Sequence, residues 1–437
     1  MLQLQDELKT WQGRYRDYSA LLANIDPSVS SVVDQTVIQA EIKRCEAKIS
    51  ELFERLYLQQ TVAQPMMRLK MSEKADKRYA GIAELRQNLL PDQLLLAYFL
   101  SKERLIIFAV TRNQLVTAEQ ADGAKQLKRL LPLLHASLQA RGWPDPQQPP
   151  QEATRQILKK LYDLLIAPVA LHLLPAGSYL TIVPYGPLHS LPFHALYNGS
   201  HFLIENFQVS YLPAASLVQS GIYEYDQQEI GTETAERPLI FGYSGHGHLQ
   251  RALEEAKTLA ELLKGRCYLE DKATITRLIA EAPGSPIIHV ATHGHSRLDA
   301  PNFSSVLLAD GRFNAIDAFS LDLKACELVT LSGCETGLAL SGGGDEQLGL
   351  GRAFLAAGAK SLVMSLWPVE DNATSELMQR FYQNLLDGAN KVQALRAAQC
   401  SLIQRTDTGY THPYYWAAFR LVGNVAPLIM NYHNRNR

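Results

Sequence analysis

The chain has 437 residues, of which 46% are hydrophobic and 20% are charged, so it has enough apolar material for the buried cores of two or three domains. Its formal net charge of −2 argues against a bulk electrostatic attraction to nucleic acid or to an anionic membrane surface. The five cysteines are widely spaced and odd in number, and no apolar run approaches the roughly 18 residues that cross a bilayer, so the sequence predicts a cytoplasmic protein with reduced thiols.

Residues 1–80 have the sequence pattern of a helical hairpin. Apolar residues recur at alternating steps of four and three in segments 4–25 and 38–56, and Pro27 interrupts the pattern. Two helices cannot bury a broad apolar face alone. We therefore expect either the last helices of a tetratricopeptide-like repeat array or a free-standing arm that docks on the rest of the protein.

Residues 81–220 alternate between strand and helix patterns and predict a first α/β unit. The runs LLLAYFL and RLIIFAV are separated by a short polar segment, which indicates a β-hairpin. Two amphipathic helices and two further strands are predicted after it, at residues 121–139, 151–166, 179–184 and 207–213. The polar stretch 216–237 is predicted to be a linker.

Residues 221–437 alternate between helices and strands that are apolar on both faces, as buried parallel strands are. Strands are predicted at residues 238–243, 286–292, 326–332 and 360–369, and helices at residues 251–265, 345–358, 372–388 and 391–403. The run AFRLVGN (418–424) is predicted to be a closing edge strand. This alternation is typical of a mainly parallel sheet with helices on both sides, a fold whose functional groups lie at the C-terminal ends of strands.

Two of these buried strands end in residues that carry chemistry. PIIHVAT is followed by His293-Gly294, and CELVTLS is followed by Gly333-Cys334. If the strands are neighbours, the imidazole lies at the same edge of the sheet as the thiol and could take its proton, and the N–H groups of Gly294 and Cys334 could stabilise an oxyanion. The alternatives are a buried, inert cysteine and a histidine that is only hydrogen-bonded. His289, inside its strand, is predicted to be a core residue.

Four ordered blocks of the sequence resemble the CHAT domain, a caspase-like family of cysteine peptidases related to separase. The blocks are IIHVATHGHS, LVTLSGCETG, QLGLGRAFLAAGAKSLVMSLWPVEDNAT and HPYYWAAFRLVGN, and the similarity extends upstream as far as residue 85. The resemblance implies a catalytic dyad of His293 and Cys334. It also implies an α/β fold in which a caspase-like, mainly parallel sheet flanked by helices is preceded by a pseudo-caspase half without the dyad and by the helical hairpin.

The resemblance extends to substrate recognition. LWPVEDNAT resembles the separase segment whose aspartate receives an arginine at P1, the residue before the scissile bond, and the matching residue here is Asp371. A carboxylate in a recessed pocket holds arginine or lysine by charge-assisted hydrogen bonds, so we expect cleavage after a basic residue. Asp371 is equally a good helix N-cap, and Asp345 and Glu346 in GGGDEQLG are competing acids.

Patterns for nucleotide or metal binding are weak, so no cofactor is expected. GLALSGGGDEQLGLGRA has no G-K-[ST], GYSGHGH lacks the spacing of a dinucleotide-binding loop, and THGHSRLD lacks two ligands of a metallo-hydrolase motif. The expected partners are a protein or peptide substrate and a regulatory protein bound through the N-terminal helices, with no direct contact to nucleic acid or membrane. The competing hypothesis is a catalytically silent caspase-like module for protein assembly.

Overall fold

Two compact units, Met1–Tyr79 and Ala80–Arg437, make up the chain in a computed structural model. The structure describes residues 2–23, 32–63, 81–139, 150–218, 237–297, 299–333, 349–369, 371–405 and 409–428. Most of the predicted linker at 216–237 lies outside the described residues. None of the described helices combines the length and the apolar character needed to cross a membrane.

The N-terminal unit contains the predicted pair of helices. Helix α1 (Leu2–Ala23) packs against α2 (Val32–Ala63), and Glu7 in the first helix pairs with Lys48 in the second, with 3.9 Å between Oε1 and Nζ. Side chains of the predicted apolar pattern are buried at Tyr15, Cys45, Ile49 and Leu52. The predicted helical hairpin is therefore confirmed.

The described strands of the second unit belong to two sheets, one of eleven strands and one of three. In chain order they are β1 (Gln93–Ser101), β2 (Arg104–Val110), β3 (Leu115–Gln120), β4 (Tyr179–Val183), β5 (Gln208–Tyr211), β6 (Leu239–Gly242), β7 (Arg266–Leu269), β8 (Ile287–Ala291), β9 (Gly294–His295), β10 (Ser305–Leu308), β11 (Gly311–Asn314), β12 (Leu328–Ser332), β13 (Ser361–Ser365) and β14 (Phe419–Gly423).

The large sheet has the strand order β3-β2-β1-β4-β5-β14-β13-β12-β8-β6-β7, and the small sheet has the order β11-β10-β9. The β1–β2, β2–β3 and β13–β14 pairs are antiparallel, whereas the other neighbours in the large sheet are parallel. The predicted mainly parallel sheet is therefore confirmed. Strands from both predicted α/β halves join in this one sheet through the pairing of β5 with β14, and the division into residues 81–220 and 221–437 stays a prediction.

Helices flank the large sheet, and all six predicted helices of this unit are present. The helices are α3 (Ile82–Asn88), α4 (Gly123–Gln139), α5 (Pro150–Leu165), α6 (Leu203–Asn206), α7 (Gln250–Leu263), α8 (Ile275–Glu281), α9 (Ala315–Ala318), α10 (Gly349–Ala356), α11 (Asp371–Leu386), α12 (Lys391–Ile403) and α13 (Pro413–Trp416). In α4 the buried leucines Leu127, Leu131, Leu134 and Leu138 recur every three or four residues, as the helical period requires of one buried face.

The position of β14 differs from the sequence prediction of a closing edge strand. β14 lies inside the large sheet, antiparallel to β13 and parallel to β5, and all of its residues are buried. Its arginine, Arg420, donates to the carbonyl of His189 at 2.6 Å, and its guanidinium lies 5.5 Å from the ring centroid of Tyr211. Burial lowers the pKa of Arg420 to about 10. The hydrogen bond and the cation–π contact stabilise the buried charge of this interior strand.

Candidate active site

Strands β8 and β12 are parallel neighbours that end at the same edge of the large sheet. Their register pairs Ala291 with Ser332, so the chain leaves both strands at the same level. His293 follows β8 by two residues and is half-buried. Gly333 is the last described residue after β12, and Cys334 lies outside the described residues. The predicted base is therefore at the strand end beside the one that leads to the predicted nucleophile.

The loop after β6 supports the imidazole of His293 from one side. Gly245 in this loop has a φ of 60°. A Cβ atom added at Gly245 would be 2.5 Å from Cδ2 and 2.9 Å from Nε2 of His293. The left-handed backbone and the close approach both favour glycine. The pattern GYSGHGH therefore forms the wall behind the histidine ring, a role that sequence reasoning missed.

Ser244 holds this loop in place. Its N–H donates to Oε2 of Glu270 at 3.1 Å, and its hydroxyl donates to Oε1 of Glu270 at 2.6 Å. The same hydroxyl accepts a hydrogen bond from the N–H of Gly247 at 2.8 Å. The N–H of Tyr243 donates to the carbonyl of Ala291 at 3.0 Å, at the end of β8. The loop is thus tied to β8 and to Glu270, which fixes the glycine behind the histidine ring.

The backbone N–H of Gly294, a predicted oxyanion donor, points away from the neighbouring strand. Gly294 in β9 is opposite Val306 in β10, and the N–H of Leu307 donates to the carbonyl of His293 at 2.9 Å. This pattern makes Gly294 and Val306 a non-hydrogen-bonded pair of an antiparallel ladder, so their N–H groups point outward from the pair. Because β9 is the outer strand of the small sheet, the Gly294 N–H lies on its outer edge.

A small cleft opens where β8, β12 and β13 end. Thr292, Ser332, Gly333 and Ser365 line it from these strand ends. The hydroxyl of Ser365 donates to the carbonyl of Gly333, which fixes the last described residue before Cys334. The cleft therefore lies at the strand ends where the sequence predicted the dyad.

Of the three acids predicted to bind the substrate, one is among the described residues. Asp345 and Glu346 lie outside the described residues. Asp371 begins α11. Val369, two residues before it, and Thr374, three residues after it, both line the cleft. The start of α11 therefore places the backbone of Asp371 at the rim of the cleft, and its role in substrate binding stays a prediction.

His289 is a core residue, as predicted. It is fully buried in β8, with Nε2 2.9 Å from Oε1 of Glu255 and Nδ1 3.2 Å from the hydroxyl oxygen of Tyr382. Tyr382 donates to Oγ1 of Thr330 at 2.8 Å, and burial raises the pKa of its hydroxyl, which keeps the proton on it. Glu255 belongs to α7 and also lines the cleft, so this buried network continues to the candidate site.

The described cysteines are poor candidates for a nucleophile. Burial raises the pKa of Cys326 to about 12 and that of Cys400 to about 11. Burial also raises the pKa values of Cys45 and Cys267. Because the thiolate is the reactive form, these thiols are unreactive at neutral pH. These environments are those of structural cysteines rather than nucleophiles.

The family model of the CHAT domain matches residues 155–424, more than half of the chain. The chain belongs to the CHAT domain family. The CHAT assignment confirms the resemblance carried by the four sequence blocks. CHAT domains are related to the caspase-like peptidases, and the matched residues include β8, β12 and both of the strand ends at the candidate site.

The CHAT chain is similar to Tetratricopeptide repeat protein 28 of Homo sapiens and of Mus musculus. The identity is 27% over 335 residues for the human protein and 26% over 330 residues for the mouse protein. Each alignment covers 62% of the CHAT chain and 13% of the relative. The CHAT chain therefore corresponds to a small part of these longer proteins.

The CHAT fold is similar to two crystal structures of the Saccharomyces cerevisiae separase–securin complex. The TM-scores are 0.51 and 0.53 at 9% identity, and the matches cover 78% of the CHAT chain and 30% and 31% of the other chain. At this identity the similarity establishes the fold alone. The CHAT chain thus has the caspase-like architecture of a mostly parallel sheet flanked by helices.

Proposed function

We propose that this CHAT protein is a cysteine endopeptidase with a catalytic dyad of His293 and Cys334. The observation that carries the proposal is the position of His293 at the end of β8, beside the parallel strand whose chain continues directly to Cys334. The raised pKa values of the other four thiols support Cys334 as the nucleophile. The glycine wall behind His293 supports a histidine held in one orientation.

In the proposed mechanism, Sγ of Cys334 attacks the carbonyl carbon of the scissile peptide bond while His293 takes the thiol proton. The N–H groups of Gly294 and Cys334 stabilise the oxyanion, an effect of roughly 3 kcal/mol per donor. His293 then gives the proton to the leaving amine, which breaks the C–N bond and leaves an acyl-enzyme. A water molecule attacks this thioester while His293 removes its proton, and the proton returns to the thiol as the acid product leaves.

The proposed substrate has a basic residue at P1. Asp371 lies in the chain between two residues that line the cleft, Val369 and Thr374, and a carboxylate there would hold an arginine or lysine side chain. Asp345 and Glu346 are the competing acids, because they belong to the segment between β12 and α10 that begins with Cys334.

The proposed function is tested with arginyl and aspartyl fluorogenic tetrapeptides, offered to the wild type and to Cys334→Ala. The arginyl peptide is expected to be hydrolysed at least about tenfold faster, because a charge-assisted hydrogen bond contributes about 2 kcal/mol. Hydrolysis is expected to disappear in Cys334→Ala. Equal turnover of the two peptides refutes a basic P1 preference, and hydrolysis that persists in Cys334→Ala refutes the dyad.

Gly245→Ala is expected to lower kcat/KM for the arginyl peptide by about 10²-fold, because the new methyl group displaces the imidazole from its reacting position. The matched control is Gly247→Ala in the same loop. Gly247 has a φ of 93°, so alanine causes similar backbone strain, but its nearest neighbour would be Gln250 Nε2 at 3.6 Å. Equal losses of kcat/KM in the two variants would contradict the role of Gly245.

We further propose that a protein partner bound to α1 and α2 regulates the peptidase. The two-helix unit and the similarity to tetratricopeptide repeat proteins support such an interaction. The same features favour the second candidate function, a catalytically silent module for protein assembly. The two functions are separated by Cys334→Ala: the silent module predicts that this variant is indistinguishable from the wild type in every assay, with and without a partner.

A further inference from the structure

The cleft has a buried carboxylate that the proposed mechanism does not use. Glu255 is only 3% exposed, yet it lines the cleft. Its Oε1 lies 2.9 Å from Nε2 of His289. A carboxylate accepts about four hydrogen bonds, and a buried one needs a cation or several donors. Glu255 therefore has unused acceptor capacity at the wall of the cleft.

Ser332 adds a second polar group to the same cleft. Its side chain is 8% exposed, and its Oγ is buried without a hydrogen-bond partner among the described residues. Ser332 follows Thr330 by two positions in β12, so it lies on the same face of the sheet, about 6.6 Å nearer the strand end. Thr330 accepts from Tyr382, which contacts His289 and so leads to Glu255. The carboxylate of Glu255 and the hydroxyl of Ser332 therefore lie on the same side of the sheet.

One basic side chain of the described chain already contacts this pair of acceptors, since Nε2 of His289 bonds Oε1 of Glu255. Among the described residues that line the cleft, the one cationic side chain is Arg251. Its side chain is 52% exposed, and Nη1 lies 2.6 Å from Oε2 of Glu254, outside the cleft lining. His289 therefore occupies one oxygen of Glu255, and a cationic ligand that enters the cleft can bond the acceptor capacity that His289 does not use.

We infer that Glu255 and Ser332 form the base of the pocket that receives the basic P1 side chain, and this inference rests on the proposed peptidase function. A guanidinium has five donors in a planar fork, enough to bond the carboxylate and the hydroxyl together. Arginine is therefore preferred over lysine, whose ammonium is a compact point charge. Glu255 is a specificity-determining residue, and it acts alongside any contribution from Asp371.

The test measures peptide binding in the absence of hydrolysis. Fluorescein-labelled Ala-Ala-Ala-Arg-Ala-Ala and the same peptide with neutral, isosteric citrulline are titrated against the full chain carrying Cys334→Ala, and dissociation constants are read from fluorescence anisotropy. The arginine peptide is expected to bind at least about tenfold more tightly. In Glu255→Gln the two peptides are expected to bind equally. Glu254→Gln, a change at the exposed neighbour, is expected to keep the preference for arginine.

Three results of this binding experiment would overturn the inference. It is overturned if the wild-type pocket does not distinguish the peptides, if neither peptide binds, or if Glu255→Gln keeps the arginine preference. Should Glu255→Gln fail to fold, as judged by near-UV circular dichroism, Ser332→Ala decides: a preference reduced about threefold supports the pocket, and an unchanged one overturns it. Hydrolysis of both peptides by the chain with Cys334 intact, without arginine preference, overturns the pocket but leaves the dyad standing.

Discussion

His293→Ala is expected to lower kcat/KM for an arginyl peptide by at least about 10³-fold, while the free energy of unfolding changes little. The loss follows because Cys334 would lose the group that removes its proton and later protonates the leaving amine. Stability is expected to persist because His293 is half-buried at a strand end, where truncation leaves no closed cavity. Steady-state kinetics and thermal unfolding of the same preparation measure the two effects.

His295→Ala is the matched control for this prediction. His295 lies two residues further along, in β9, and is exposed. Its removal is expected to change kcat/KM by about twofold or less, as for most exposed side chains. If both variants lose activity to the same extent, the effect belongs to the loop as a whole, and the assignment of His293 as the base is wrong.

Glu327→Ala is expected to destabilise the Ala80–Arg437 unit by about 3–5 kcal/mol, because it removes the carboxylate from a buried ion cluster. Glu327 is 4% exposed and precedes β12. Its Oε1 is 2.5 Å from Nζ of Lys360, and its Oε2 is 3.3 Å from Nζ of Lys391. Lys391 is fully buried, and burial lowers its pKa. Without Glu327, the protein must bury an uncompensated ammonium or deprotonate it.

Urea unfolding at pH 7 measures this loss of stability. Glu376→Ala is the control, because Glu376 is more exposed and its contacts with Arg380 and Arg405 are surface ion pairs worth at most about 1 kcal/mol. Adding Lys391→Met to Glu327→Ala is expected to restore part of the loss, since it removes the buried charge. A loss in Glu327→Ala no larger than that in Glu376→Ala would contradict a net contribution from the cluster.

The fold was largely predictable where strands are buried on both faces. Strands β8, β12 and β13 are short, mostly apolar and buried at every residue, which is typical of the central strands of a parallel sheet. Strands β3 and β7 were missed because they lie at the edges of the sheet and have half-exposed residues, so their patterns are weak. The predicted edge position of β14 was wrong because the groups that stabilise the buried Arg420, His189 and Tyr211, come from distant parts of the chain.

The candidate site was predictable only where a residue follows a strand directly. His293 could be placed at the sheet edge from its own strand, whereas the role of Gly245 depends on β6 lying beside β8, which strand order decides and the sequence does not. Glu255 was missed for a similar reason. In RALEEAKTLAELL it resembles its exposed neighbour Glu254, and only the packing of α7 against the sheet shows that it is buried beside His289.

We propose that the imidazole of His293 and the thiol of Cys334 share one crevice, and cysteine alkylation tests this arrangement without a substrate. The rate of modification by iodoacetamide at pH 6.5 is measured for each cysteine by peptide mass spectrometry, in the wild type and in His293→Ala. An unassisted thiol is only about 1% thiolate at this pH. We expect Cys334 to react faster than the buried Cys326, and its rate to fall about tenfold in His293→Ala. Equal Cys334 rates in the two proteins, or a Cys334 as unreactive as Cys326, would contradict it.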